Sequence, residues 1–323
     1  MVNSGPTGGS LEPPCRKLGA IGGKVCPVSE HEPEYTEVSI LSHPEAAEGL
    51  ADVLLSLGAA GVAEERRPLN VRIVAYLPKD EQLDEKVRAI RQRLTDLERE
   101  GLRIGPGTIG LRTLEASAWS EAWKDLFQIL KIAPGLTIVP SWEPYQPAEG
   151  ESAVILEPGA AFGTGGHATT RLCLRALVEQ MRPGYRVADV GCGSGILGIT
   201  AAVLGAREVL ATDTDRLCLP VAQTNARRNG VLEQMHFVES DLLPEGSGQF
   251  DLVLCNIVAE EVMRLAERFP GALARGGQCI TSGFVKDSLP RVEDALTRGG
   301  LVILHTPSEE GWAACVAMRP ARA

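Results

Sequence analysis

Val187-Ala188-Asp189-Val190-Gly191-Cys192-Gly193-Ser194-Gly195 is an apolar run that breaks into three alternating glycines and passes directly into the helical pattern Ile196 to Leu204. A run of this kind reads as a buried strand feeding a helix. Its glycines let the backbone approach a ligand with no Cβ in the way. Gly191 is the expected point of closest approach, with Gly193 beside it. The pattern is G-x-G-x-G, and Ile196 stands where a dinucleotide fingerprint places its third glycine. A pyrophosphate is therefore a poorer candidate than a ligand without phosphates. Upstream, Phe162-Gly163-Thr164-Gly165-Gly166-His167-Ala168-Thr169-Thr170 is a second glycine cluster that leads into another helix. Together the two clusters suggest a nucleotide-type cofactor held between a strand-end turn and a glycine loop.

Downstream of the turn, strand patterns cover Arg186 to Val190, Glu208 to Asp213, Met235 to Glu239, Phe250 to Asn256, Gln278 to Phe284, Leu301 to Thr306 and Trp312 to Met318. Helical patterns separate all but the last two, which predicts an α/β fold with a doubly wound sheet and helices on both faces. The final pair is joined by a short Pro/Ser/Gly turn and must form an antiparallel hairpin. Asp213 closes the second of these strands, where an acceptor-only carboxylate suits both hydroxyls of a ribose. Asp215 is placed to cap the next helix. Asp241, after the third strand, is a candidate for an adenine amino group. Asn256 brings a neutral acceptor and two donors to the end of the fourth strand, beside the chain reversal where ligands bind in such sheets, and suits an amine.

Upstream of the loop the composition changes. Residues 1–34 are rich in Gly, Pro and Ser without periodicity and read as a disordered leader. From Tyr35, alternation in Thr36, Val38 and Ile40, a helical face of Ala47, Leu50, Leu54 and Leu57, strands near residues 61–65 and 71–75, a helix carrying Leu83, Val87, Ile90, Leu94 and Leu97, and a strand at Thr108 to Leu114 give the order β-α-β-β-α-β. That order suits a small ferredoxin-like α+β domain over residues 35–115. Residues 116–150 read as a connector bearing Trp119, Trp123 and Trp142, whose rings either pin it to a domain or border a substrate groove. The catalytic part is expected over residues 151–323.

The chain has 323 residues, 44% of them hydrophobic, enough for two cored domains. It has neither an apolar run long enough for a membrane span nor the basic-then-apolar start of a secretory signal, so a cytoplasmic protein is expected. Its cysteines form no CxxC pair and no metal-ligand spacing, and Cys173, Cys192, Cys255, Cys279 and Cys315 read as reduced, buried small residues. A formal net charge of −10 argues against direct nucleic-acid binding and favours a basic partner.

At these residues the chain resembles the class I methyltransferases that use S-adenosylmethionine. More narrowly it resembles the PrmA family, which methylates ribosomal protein L11. The likeness spans about Tyr35 to Met318 and rests on the Trp119 to Lys124 segment, Pro140-Ser141-Trp142, the Phe162 to Thr170 loop, the glycine turn, Asn225-Ala-Arg-Arg-Asn-Gly230, and Asn256-Ile257. It implies cofactor contacts from Thr170, Gly191, Asp213 and Asn256, with Phe162, Gly163, Thr164, Gly193 and Asp241 alongside. Asn256 and the Ile257 carbonyl would handle an amine of L11, and the enzyme would act as a monomer. The family usually reads Thr-His-Pro-Thr-Thr where this chain has Gly166-His167-Ala168-Thr169-Thr170, and residues 1–34 have no counterpart in its pattern. His167 is expected to serve structure or cover the cofactor, not to transfer protons. Other readings are the same fold acting on another protein's lysines or on a small molecule, a nicotinamide-dependent oxidoreductase, and a non-catalytic binding module. The third-glycine position and the terminal hairpin speak against the oxidoreductase.

Overall fold

The computed structural model describes residues 35–59, 62–66, 69–78, 82–114, 127–157, 165–244 and 246–321. The leader, Trp119, Trp123 and the Phe162-Gly163-Thr164 part of the glycine loop lie outside the described residues.

Tyr35–Ser42 (β1), Val62–Arg66 (β2), Val71–Pro78 (β3) and Thr108–Leu114 (β4) pair antiparallel in the order β2-β3-β1-β4. Ala47–Ser56 (α1) and Leu83–Arg99 (α2) supply the two connections, as the β-α-β-β-α-β pattern requires. Strand alternation sends Val38, Ile40, Ile73 and Ala75 to one face, where they bury against Leu50 and Leu54 of α1 and Ile90, Leu94 and Leu97 of α2. On the other face the Glu37 carboxylate accepts from Arg72 at 2.8 Å and Arg112 at 3.0 Å, tying β3, β1 and β4 together.

Leu130–Ala133 (β5), Leu136–Pro140 (β6) and Ser152–Leu156 (β7) form a separate sheet, antiparallel between β5 and β6 and parallel between β6 and β7. Two strands, β5 and β6, therefore lie within the stretch read as connector. Ile132, Leu136 and Ile138 bury in the same cluster as the larger sheet, and Trp142 meets Phe127 edge-on at 6.3 Å.

The larger sheet contains Arg186–Val190 (β8), Glu208–Asp213 (β9), Met235–Glu239 (β10), Phe250–Asn256 (β11), Leu273–Val285 (β12), Val302–His305 (β13), Ser308–Glu309 (β14) and Trp312–Met318 (β15). Its order is β10-β9-β8-β11-β12-β15-β13, with β14 paired to β15. Pairing is parallel from β10 to β12, and β15 runs antiparallel to both β12 and β13. The strand read at Gln278 to Phe284 starts earlier, at Leu273, and its pairing with β15 shifts register between Thr281 and Phe284.

Ala168–Gln180 (α3), Ile196–Val203 (α4) and Cys218–Arg228 (α5) pack on one face; Ala259–Ala266 (α6), Phe269–Ala272 (α7) and Leu289–Arg298 (α8) pack on the other. Val187 faces the first group while Ala188 and Val190 face the second. Burial on both faces is why β8 after Arg186 reads as an apolar run broken only by Asp189. Cys173, Cys192, Cys255, Cys279 and Cys315 are unpaired and buried. No helix among the described residues is long and apolar enough to cross a membrane.

Candidate active site

A cavity of about 920 Å³ opens at the carboxyl ends of β8 to β11, where the strand order reverses between β8 and β11. Gly191, Gly193, Asp213, Asp241, Asn256 and Ile257 all line it. Gly191 has φ +69, and a Cβ on it would sit 2.4 Å from Ile257 Cγ2. The protein's own packing therefore requires glycine there, independently of any ligand.

The Asp213 carboxylate receives two backbone N–H groups, Gly193 on Oδ2 at 2.8 Å and Asp215 on Oδ1 at 2.9 Å. A carboxylate has about four acceptor sites, so about two remain for hydroxyls of a ligand. Asp215 does not cap α5 as expected: the N-cap position is Leu217, and Asp215 Oδ1 instead accepts the Leu217 N–H at 2.9 Å in the turn before the helix. Asp241 is more open: its side chain is 60% exposed, and Oδ2 pairs with the Arg264 guanidinium, which also holds Glu261 at 2.6 Å.

Period-two alternation puts Leu252, Leu254 and Asn256 on the α3 side of β11. There Asn256 Nδ2 donates to Thr170 Oγ1 at 3.3 Å, which leaves Asn256 Oδ1 buried with no partner. Thr170 is itself fully buried and is not part of the cavity wall, so it stands behind Asn256 and orients its amide. The next residue is held by backbone: Ile257 N–H donates to Ser282 O at 3.1 Å. Gly283 (φ +96) lies against the same peptide, and a Cβ there would fall 2.3 Å from Ile257 O. This glycine occupies the register shift in β12 noted above.

The start of α3 is anchored by contacts distant in sequence. His167 caps the helix through Nδ1, which lies 2.7 Å from Thr169 Oγ1, and its ring meets Trp312 edge-on at 4.7 Å. Ala168 stands at the first helical position, where proline is favoured, and is buried with Leu172, Trp312 and Ala314. Arg171 donates to Gly166 O and pairs with Glu309 and Glu310. Asp189, on β8 below the turn, accepts the Gly198 N–H at 2.8 Å, and burial pushes its carboxyl up to about 7. Burial likewise raises the Cys192 thiol, and takes that of Cys218 up to about 12, so neither cavity cysteine is a thiolate at neutral pH.

Thr170 was legible in the sequence as a site residue but not in this supporting position. Gly283, Trp312, Arg171 and Arg264 were missed. Gly283 carried a usable signal, since an isolated glycine in a strand pattern marks a bulge or a close backbone approach. The other three meet their partners only through the fold.

The sheet order, the terminal antiparallel strands and the cavity at the switch point define a class I methyltransferase, with S-adenosylmethionine as its methyl donor. The profile of the ribosomal protein L11 methyltransferase (PrmA) family matches residues 34–320, and the chain belongs to that family. A ribosomal protein L11 methyltransferase from Pelotomaculum thermopropionicum is 36% identical over 303 residues, covering 88% of this chain and 98% of that protein. One from Geobacillus thermodenitrificans is 35% identical over 311 residues, covering 89% and 100%. The crystal structure of a ribosomal protein L11 methylase from Lactobacillus delbrueckii subsp. bulgaricus is similar at a TM-score of 0.57 and 36% identity, over 60% of this chain and 100% of that one. This membership displaces the nicotinamide-dependent and non-catalytic readings.

The cavity fits the donor. Asp213 retains acceptor capacity beside the glycine turn, and Asn256 contributes an orphaned buried oxygen at the other end of the same space.

Proposed function

We propose that this protein methylates amino groups of ribosomal protein L11: lysine side chains, the N-terminal amine, or both. The observation that carries the reading is Asn256 Oδ1, a buried acceptor without a partner in the cavity that Asp213 also lines. When bound, S-adenosylmethionine supplies an electrophilic methyl group on a sulfonium. Asp213 holds the ribose, and Gly191 and Gly193 keep the backbone close beside it. Asp241 receives the adenine amino group, and Phe162, Gly163 and Thr164 add contacts from the glycine loop. Thr170 acts through Asn256.

A free lysine amine has a pKa of about 10.4 and is mostly protonated at neutral pH. Asn256 offers an uncharged acceptor, which does not stabilise the ammonium form as a carboxylate would. Its Oδ1 and the Ile257 carbonyl accept the amine hydrogens and aim the nitrogen lone pair, so the residues contribute positioning and desolvation. The proton lost after transfer passes to bulk water.

Residues 35–115 recognise the protein substrate, and residues 116–150 join them to the catalytic residues 151–323. Ser56 and Gly58, at and just after the end of α1, line the same cavity, which supports a recognition role for residues 35–115. The protein works as a cytoplasmic monomer without contacting nucleic acid; its net charge of −10 supports a basic protein as partner.

Intact-mass spectrometry of unmethylated L11, incubated with this protein and S-adenosylmethionine, tests the reading. L11 is expected to gain mass in methyl-sized steps. No gain, from a preparation that binds S-adenosylhomocysteine, would overturn the substrate assignment.

A further inference from the structure

Asn225, in the last turn of α5, and Asn229, its C-cap residue, face the outer edge of β7, the end strand of its small sheet. Asn229 Nδ2 donates to Ile155 O at 2.7 Å, and its Oδ1 accepts from Ile155 N–H at 2.8 Å. Two residues further along, Glu157 N–H donates to Asn225 Oδ1 at 2.9 Å. Four helical residues advance about 6 Å and two strand residues about 6.6 Å. Amides at i and i+4 can therefore satisfy every second residue of a strand edge.

Asn229 Nδ2 also donates to Asn225 O at 2.8 Å, within the same turn of chain, whereas Asn225 reaches a third segment. Its Nδ2 donates to Ser194 O at 3.0 Å, inside the glycine turn. Asn225 is 0% exposed and Ser194 4%, so water cannot replace either end of this bond. A Cβ on Gly195 would lie 3.1 Å from Ala222 Cβ, so the same helix also limits how the turn sits. The turn is thus held on one side by Asn225 at Ser194 and on the other by Asp213 at Gly193.

We infer that Asn225 is a positioning residue for cofactor binding, joining the edge of β7 to the glycine turn and preorganising the backbone at Gly191 and Gly193. Asn229 only staples α5 to the strand. The inference rests on reading that turn as part of the S-adenosylmethionine site.

Two variants of the full chain separate these roles. Asn225→Asp keeps an acceptor for Glu157 N–H but sets an oxygen against Ser194 O. Asn229→Ala removes strand contacts without touching the turn. Titration calorimetry with S-adenosylhomocysteine is expected to show affinity falling about tenfold or more in Asn225→Asp and by less than about twofold in Asn229→Ala. Hydrogen exchange followed by mass spectrometry should speed up across residues 191–198 in the first variant alone. Wild-type affinity and exchange in Asn225→Asp would overturn the inference, as would an equal loss in Asn229→Ala. If Asn225→Asp does not fold by circular dichroism, Asn225→Ser, which also removes the reaching donor, is read by the same criteria. A wild-type protein that fails to bind S-adenosylhomocysteine would instead overturn the cofactor assignment.

Discussion

The two halves of the cavity are built on opposite terms. At the ends of β8 and β9 the glycine turn is already tied down by protein partners: Asp213 accepts from Gly193 and Asp215, and Ser194 O accepts from Asn225, while Asp189 Oδ1 and Thr212 Oγ1 stay buried without a partner beneath it. At the end of β11, Asn256 has one end of its amide held by Thr170 and the other buried without a partner. The bonds to the turn fix its geometry before the ligand arrives. An unsatisfied buried acceptor is costly in the free protein and is relieved only by a donor that enters. The first half thus suits binding, and the second suits handling an amine during reaction.

The sharpest way to break this contrast is Asn256→Ala. Turnover is expected to fall about 100- to 1000-fold, with S-adenosylhomocysteine affinity within a few-fold of wild type. Near-normal turnover would remove the reacting half of the comparison. Asp213→Ala should do the reverse, weakening affinity by about 10- to 100-fold while turnover at saturation stays close to normal. Calorimetry showing unchanged affinity would sink the ribose assignment.

Asp189 gives a smaller, pH-dependent effect beneath the binding half. Its carboxyl is raised from 3.8 to about 7 chiefly by burial, so the folded state retains a proton that the unfolded chain releases. Wild-type stability from this group is complete below about pH 4 and declines as pH rises toward 7. Asp189→Asn should therefore melt with wild type in acid and roughly a few degrees above it at pH 8. A gap that does not widen with pH would contradict the buried-acid account. Asp241→Ala should have the least effect, a loss of about two- to fivefold in affinity, because its carboxylate is 60% exposed and paired with Arg264. Comparison of S-adenosylhomocysteine with its inosine analogue checks whether that loss falls on the adenine.

The binding half was the more legible in sequence. The glycine turn and Asp213 sit at strand ends about 20 residues apart, and strand–helix alternation places them together by short-range rules. Asn256 was also readable as a strand-end amide, but its orphaned oxygen was not, because that depends on Thr170, which is 86 residues away. Thr170, read as a cofactor contact, also holds the Asn256 amide, a bond the sequence does not announce. Trp312 under His167, and Glu309 against Arg171 across 138 residues, belong to the same class of hidden support. Within the stretch read as connector, β5 and β6 were not legible because they are short and their burial comes from packing against the larger sheet.

By itself the sequence determined the order of strands and helices in the first small domain and in the larger sheet, the antiparallel end of that sheet, and which residue types stand at the strand ends. Hydrophobic period, glycine turns and caps act over a few neighbouring residues, so a linear reading can recover them. Only the tertiary structure decided which polar groups are satisfied, which way the Asn256 amide points, and that Asn225 ties the glycine turn to β7. Hydrogen-bond satisfaction and burial depend on groups brought close by folding, and no local pattern encodes them.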